Sequence, residues 1–177
     1  MDNKIVIEDY NPAWPQGFNE LKLTIETALP NLFLSIEHVG STSVPGLSAK
    51  PIIDLDIVIE DSSLFAQVSK NLEKLGYYYE GNLGIEGREA FARSNQYVPW
   101  IENNRVWMEH HLYVCPKDSK ELKRHLAFRD YLQENPRAAY DYEQLKRKLA
   151  ASEKDRVAYT AGKGDFVNSI LRSILKE

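Results

Sequence analysis

The sequence predicts a mixed α/β domain with a small mixed β-sheet, helices on one face of the sheet and a helical C-terminal lobe. Short apolar runs with strand-like alternation recur up to Cys115, and segments with helical spacing lie between them. After Pro116 the spacing is helical almost throughout. A chain of 177 residues suits one domain, which we divide into an α/β core over residues 1–116 and a helical lobe over residues 117–177.

Two strands and an intervening helix are predicted at the start of the core. Residues 4–8 alternate like a short strand. A helix is expected to begin at Gln16, after the prolines that precede it, and Pro30 stops it. A strand over residues 32–39 then leads through a loop of small residues to the strand that contains Asp54 and Asp56.

A helix, a hairpin and a final strand complete the predicted core. Residues 61–63 can cap a helix that Gly76 ends. Residues 77–80 and 89–94 are typical of a hairpin, and residues 106–115 of a last strand. The lobe is expected to contain three helices, over residues 119–133, 137–152 and 163–175.

Composition excludes several classes of partner. A net charge of −4 and a pI of about 5.6 argue against bulk electrostatic binding of nucleic acid, though not against a local basic pocket. Cys115 is the single cysteine, so no intramolecular disulfide can form, and a reducing, cytoplasmic location is expected. The N-terminal residues lack the pattern of a signal peptide, and no apolar run reaches the ~18 residues that would indicate a membrane span.

A turn of small residues precedes the aspartate strand. A glycine followed by a small hydroxyl residue, Gly40-Ser41, lets backbone N–H groups approach a phosphate closely. Thr42 and Ser43 add hydroxyl donors. An ordinary turn would explain such a pair in isolation. Here an acid-apolar-acid-apolar strand follows about a dozen residues later, so we predict that Gly40 to Ser43 bind nucleotide.

The aspartate strand is the predicted metal site. Asp54 and Asp56 share one face of the strand, and paired carboxylates need a compensating cation when they are buried. Such a pair suits a divalent metal, Mg²⁺ or Mn²⁺. His111 is the expected third ligand, although Glu109 would instead complete an all-oxygen site. Without metal, the two acids should repel, so asparagine at either position is expected to stabilise the protein by ~1 kcal/mol.

The combined pattern resembles the signature of the nucleotidyltransferase superfamily. Val39-Gly40-Ser41 and Asp54-Leu55-Asp56-Ile57 match it position by position. In that superfamily the Gly-Ser turn holds the phosphates of a nucleotide, and the acids bind divalent metal ions. The resemblance implies metal-dependent transfer of a nucleoside monophosphate from a nucleoside triphosphate to an unknown acceptor, with Asp54, Asp56 and His111 as catalytic residues.

Most of the chain also resembles the GrpB-like family, which has this fold. The stretches that carry the resemblance are HVGSTSVPGLSAKPIIDL (38–55), HHL (110–112), FRDYL (128–132) and YTAGKGDFV (159–167). The family often has an apolar residue where Asp56 stands and a second histidine where Tyr113 stands. Asp56 brings this chain closer to the active superfamily pattern, whereas Tyr113 removes a potential metal ligand.

Basic residues inside these motifs are candidates for contacts with substrate phosphates. Lys50 precedes the aspartate strand, and Arg129 and Lys163 lie in the family-like stretches of the lobe. For Arg129 and Lys163, pairing with structural carboxylates is an equally good interpretation. Lys146 also lies in the lobe, where basic residues usually form a solvated helix face, and it is not counted among the candidates.

Two other functions remain open at this stage. The chain could be a non-catalytic module that binds a nucleotide or metabolite, or a metal-dependent phosphohydrolase with water as its acceptor. In each case the expected partners are a nucleoside triphosphate or another small molecule. The sequence leaves a homodimer open.

Overall fold

The computed structural model describes residues 5–152 and 156–176, and a five-stranded mixed sheet lies at its centre. The strands are β1 (Ser35–Val39), β2 (Ile53–Ile59), β3 (Tyr77–Gly81), β4 (Glu89–Arg93) and β5 (His110–Pro116). They lie in the order β1-β2-β5-β4-β3, with β2 and β5 parallel and every other neighbouring pair antiparallel. The sheet confirms the predicted mixed α/β class and the hairpin.

The helices cover the two faces of this sheet unequally. Helices α1 (Ala13–Ala28) and α2 (Phe65–Lys74) pack on the apolar face, where Leu21 and Leu72 meet β2 residues such as Ile53 and Leu55. The lobe contains α3 (Lys120–Glu134), α4 (Pro136–Ser152) and α5 (Arg156–Leu175). Of these helices, none is long and apolar enough over its described residues to cross a membrane.

Several predicted elements differ from the structure in their bounds, including the strand predicted over residues 32–39, which begins at Ser35. Residues 5–8 form no strand beyond the single bridge from Glu8 to Ala49, and Lys4 lies outside the described residues. Helix α1 begins earlier than predicted because its proline, Pro15, lies in the first turn, where a helix does not need the missing N–H. Helix α5 also begins earlier, at Arg156.

The last strand is shorter than predicted. It begins at His110, and the residues before it form no strand. Alternation along a strand would bury Val106 and expose Trp107, but Val106 is 58% exposed and Trp107 is buried. The indole N–H of Trp107 donates to the carbonyl of Pro99 at 2.8 Å, so a loop contact fixes this segment.

A buried ion pair joins the lobe to the sheet. Asp56 on β2 is fully buried, and its Oδ2 lies 2.6 Å from Nδ1 of His125 on α3. Burial opposes the charge on His125, but hydrogen bonds and charges from Asp56 and Glu121 outweigh burial and raise the pKa of His125 to about 9. The other oxygen of Asp56, Oδ1, has no hydrogen-bond partner within the described chain. His125 is therefore the cation that compensates the buried carboxylate.

Further contacts fix the lobe beside the first strand and the following loop. Arg129 on α3 donates to Glu37 at 2.9 Å, and Lys146 on α4 donates to the carbonyl of Ser48. Val44 and Leu47 pack in a second apolar cluster with lobe residues. The loop after the Gly-Ser turn is thus held between the sheet and the lobe.

The ion pair reverses the expected effect of removing an aspartate. We predict that Asp56→Asn destabilises the protein by about 3 kcal/mol, because the His125 imidazolium loses its closer carboxylate and keeps only Glu121. Asp54→Asn is the matched control. Because Asp54 is partly exposed, this substitution should change the free energy of unfolding by no more than about 1 kcal/mol. Urea unfolding at pH 7 measures both. If Asp56→Asn instead stabilised the protein, the ion-pair account would be wrong, and like-charge repulsion between the two aspartates would be the larger effect.

Candidate functional site

The parallel pairing of β2 with β5 places the predicted site residues side by side. Asp54 is opposite His111, and Asp56 is opposite Tyr113. Helix α3 covers the Asp56 end of this face, where Val58 and Leu122 share an apolar cluster. The Asp54 end stays open, and it forms the floor of a cleft between the sheet and the lobe.

Asp54 and His111 form a hydrogen-bonded pair on this floor. His111 Nδ1 lies 2.9 Å from Asp54 Oδ1, and the two side chains are 43% and 27% exposed. A carboxylate oxygen accepts, so the hydrogen bond runs from the Nδ1–H of His111 to Asp54 and orients the imidazole ring. Gly40 lies against the same carboxylate, because a Cβ at this position would overlap Asp54 Oδ2. With φ at +71°, Gly40 also adopts a conformation that other residues rarely take.

A hydrogen bond between His38 and Thr42 holds the Gly-Ser turn in place. Its Nε2 lies 2.9 Å from the hydroxyl of Thr42, which donates in turn to the carbonyl of Ile52 at 3.3 Å. The His38 ring stacks on Phe18, and burial lowers the pKa of His38 to about 4. A neutral His38 therefore donates from Nε2 and fixes the short 3₁₀ turn over Ser41–Ser43.

Three lysines converge beside this turn in a cavity of about 320 Å³, which we call the lysine pocket. Lys50 comes from the loop before β2, Lys146 from α4 and Lys163 from α5. The ring of Tyr159 lies between two of them, with Lys50 Nζ and Lys163 Nζ at 4.1 and 4.5 Å from its centroid. Ser41, Thr42, Asp54 and His111 complete the polar lining.

Two lysines of this pocket, Lys146 and Lys163, have lowered pKa values. Burial lowers the pKa of Lys163 to about 8, and the nearby charge of Lys50 contributes. Burial, together with the charge of Lys163, lowers the pKa of Lys146 to about 7. Because an anion would favour the protonated forms, the pocket is suited to a ligand with several negative charges.

Three of the predicted phosphate ligands, Gly40, Ser43 and Arg129, do not line this pocket. Arg129 pairs with Glu37 and Asp130 and donates to the carbonyl of His38 at 3.2 Å. It lines a separate shallow hollow together with Ser43. Of the predicted set, the structure therefore brings Ser41, Thr42, Lys50 and Lys163 together at the lysine pocket.

The sequence reasoning missed two residues of the lobe. His125 is four residues after Glu121 and four before Arg129, so one face of α3 contains all three, and this spacing was the available signal. Lys146 occupies a place in the apolar stripe of α4, after Tyr142 and before Leu149. A charged residue in such a stripe is buried only when something compensates it.

The predicted metal ligands do not gather around one point. Within residues 5–152 and 156–176, no group of three His, Cys, Asp or Glu side chains is placed to hold a metal ion. Asp56 is neutralised by His125, so Asp54 and His111 remain as donors. One carboxylate with substrate phosphates is a common way to bind Mg²⁺. The residues present therefore fit a metal ion that arrives with a phosphate ligand better than a resident one.

Comparisons with known proteins agree on the fold. At 10–13% identity they include nucleotidyltransferases, among them Cid1 in complex with the UTP analogue UMPNPP, with a TM-score of 0.53 over 88% of this chain and 48% of that one. The crystal structure of the conserved protein GrpB from Enterococcus faecalis is 35% identical, with a TM-score of 0.80 over 97% of this chain and 98% of that one.

Sequence comparisons identify the family. The chain is 31% identical to the glutamate-rich protein GrpB of Alkalihalophilus pseudofirmus, over 97% of this chain and 96% of that protein. It is 33% identical to the UPF0157 protein YqkA of Bacillus subtilis, but 94% of the chain spans only 46% of that relative's length. The family model described as GrpB protein matches residues 4–173. The chain therefore belongs to the GrpB family, and its fold is that of the nucleotidyltransferases.

Proposed function

We propose that this protein is a nucleotidyltransferase that binds the phosphates of a nucleoside triphosphate in the lysine pocket and transfers the nucleoside monophosphate to an acceptor. One observation carries the proposal. Lysines from three separate segments converge on the Gly-Ser turn and on Asp54, at the open end of the sheet. Because fold alone does not define an activity, the support lies in this arrangement of charge.

The residues of the cleft divide the work of such a reaction. Gly40 lets the turn pack directly against the Asp54 carboxylate, so Ser41 and Thr42 of the turn border the lysine pocket. Lys50, Lys146 and Lys163 neutralise the phosphate charge and the pyrophosphate that leaves. Asp54 orients His111 so that Nε2 can accept a proton.

The transfer step then balances as follows. The acceptor oxygen bonds to the α-phosphorus while the bond from that phosphorus to the bridging oxygen of the β-phosphate breaks. Pyrophosphate leaves with that electron pair, and the acceptor's proton passes to His111 Nε2. Asp54 is the residue that would hold a divalent metal ion carried by the triphosphate, and such an ion would add neutralising charge at the phosphates.

The first test removes one charge from the pocket. Lys163→Met should weaken binding of a nucleoside triphosphate at least tenfold, because a charged hydrogen bond contributes about 1.5–3 kcal/mol. Lys148→Met is the matched control, since Lys148 is exposed on α4. Isothermal titration calorimetry measures both affinities at pH 7. Equal affinity of the two variants for the nucleoside triphosphate would show that the lysine pocket does not bind it.

The second test uses the protonation of the lysines. Near pH 8, Lys146 and Lys163 are deprotonated in a large fraction of the free protein molecules. Bound phosphate should raise the pKa of both lysines. Binding should then take up roughly one proton. The measured enthalpy should be more endothermic in Tris than in HEPES, and affinity should fall as the pH rises from 7 to 9. Identical enthalpies in the two buffers would contradict this account.

The third test concerns the metal ion. Mg²⁺ or Mn²⁺ alone should change the melting temperature by less than about 1 °C, because Asp56 is already neutralised. Metal added with a saturating nucleoside triphosphate should raise it by roughly 5 °C. An equally large shift with metal alone would instead indicate a resident metal site.

The products of the reaction separate the catalytic alternatives. Phosphorus NMR should show pyrophosphate once a suitable acceptor is present. Release of orthophosphate with water as the sole acceptor would favour the phosphohydrolase.

A further inference from the structure

A second cavity, of about 230 Å³, adjoins the lysine pocket, and we call it the arginine pocket. Asp54 and Tyr113 line both cavities, so the two meet at the centre of the cleft. The lobe lines it with three apolar side chains, Phe128, Val167 and Leu171, and with three charged or polar ones, Glu121, Arg124 and His125. Arg88, which precedes β4, enters from the sheet side.

Arg88 is held in place without a polar partner. Its guanidinium carbon lies 4.4 Å from the centroid of the Tyr113 ring, which fixes the group by stacking. Nε is buried and has no hydrogen-bond partner, and the guanidinium makes no ion pair with any side chain in the described part of the protein. Its planar donors are therefore left for a carboxylate or phosphate.

The other charged groups of this pocket have partners. Arg124 donates to Asn168 at 2.8 Å and lies 3.6 Å from Glu121. His125 lies between Glu121 and Asp56, at 3.3 and 2.6 Å. The charge of Arg88 acts on both acids from a distance, but their ion pairs are made with His125 and Arg124, so the guanidinium can still pair with a ligand.

We infer that the arginine pocket is the acceptor site, and that the acceptor is a small molecule with a phosphate or carboxylate group and an apolar part. Arg88 binds the anionic group, and the apolar part lies against Phe128, Val167 and Leu171. With the triphosphate in the lysine pocket, donor and acceptor then meet beside Asp54. The role as acceptor site rests on the proposed function, whereas the anion site itself does not.

The test uses phenyl phosphate as a probe, because it combines an anion with an apolar ring. The full chain is first saturated with a non-hydrolysable nucleoside triphosphate analogue, and phenyl phosphate is then titrated by calorimetry. We expect saturable binding, and benzoate should bind while phenol binds at least tenfold more weakly. Arg88→Met should weaken phenyl phosphate at least tenfold, and Arg88→Lys should weaken it less.

The matched control is Arg105→Met. Arg105 also stacks on an aromatic ring, Trp107 at 4.3 Å, but it pairs with Glu20 and lines neither pocket of the cleft. This variant should bind phenyl phosphate like the unmodified protein. Thermal melts of the Arg88 variants check that the fold persists, and Arg88→Lys keeps the charge if Arg88→Met does not fold.

Each outcome separates the two proposals. Equal affinities in the Arg88→Met and Arg105→Met variants would overturn the anion site. Competition between phenyl phosphate and the triphosphate analogue would assign the pocket to the nucleotide and overturn its role for the acceptor. If the analogue does not bind but phenyl phosphate still requires Arg88, the proposed function fails and the anion site stands.

Discussion

The ion pair between Asp56 and His125 is the interaction on which the rest of the site depends. A buried carboxylate on β2, an interior strand of the sheet, is costly unless a cation reaches it. That cation comes from α3, so the lobe has to pack against this face of the sheet. The packing brings α4 and α5 beside the loop after β1, and Lys146 and Lys163 thereby reach the Gly-Ser turn. The ion pair that neutralises Asp56 thus fixes the lobe in the position where it forms one wall of the cleft.

Two aspartates on one strand face have different fates because the lobe covers only part of that face. Asp56 is fully buried beneath α3, and His125 is the histidine that pairs with it. Asp54, two residues earlier, stays open to both pockets and shares a hydrogen bond with His111. Asp56 therefore supports the structure, whereas Asp54 is accessible from the cleft.

Local patterns allowed the strand that contains the aspartates, the turn before it and most of the helices to be predicted. The alternation of β2 and the family-like motifs also indicated Ser41, Lys50, His111 and Lys163, which the structure places in one cavity. Partners across long separations could not be predicted. His125 is 69 residues from Asp56, and Arg129 is 92 residues from Glu37. Local spacing places such residues on a helix face, but the packing of that helix decides which acid each one meets.

The arrangement of charge in the cleft has an energetic consequence. Burial and mutual repulsion work against the protonated lysines, so the ligand-free protein bears a cost that a bound anion relieves. By linkage, the relief appears as affinity for the anion and as stability of the complex. On the other side of Asp54, Arg88 stacks on a ring and has no carboxylate partner among the described residues. Both cationic groups border cavities that share Asp54, so two anionic ligands would be brought to its two sides and would meet beside its carboxylate.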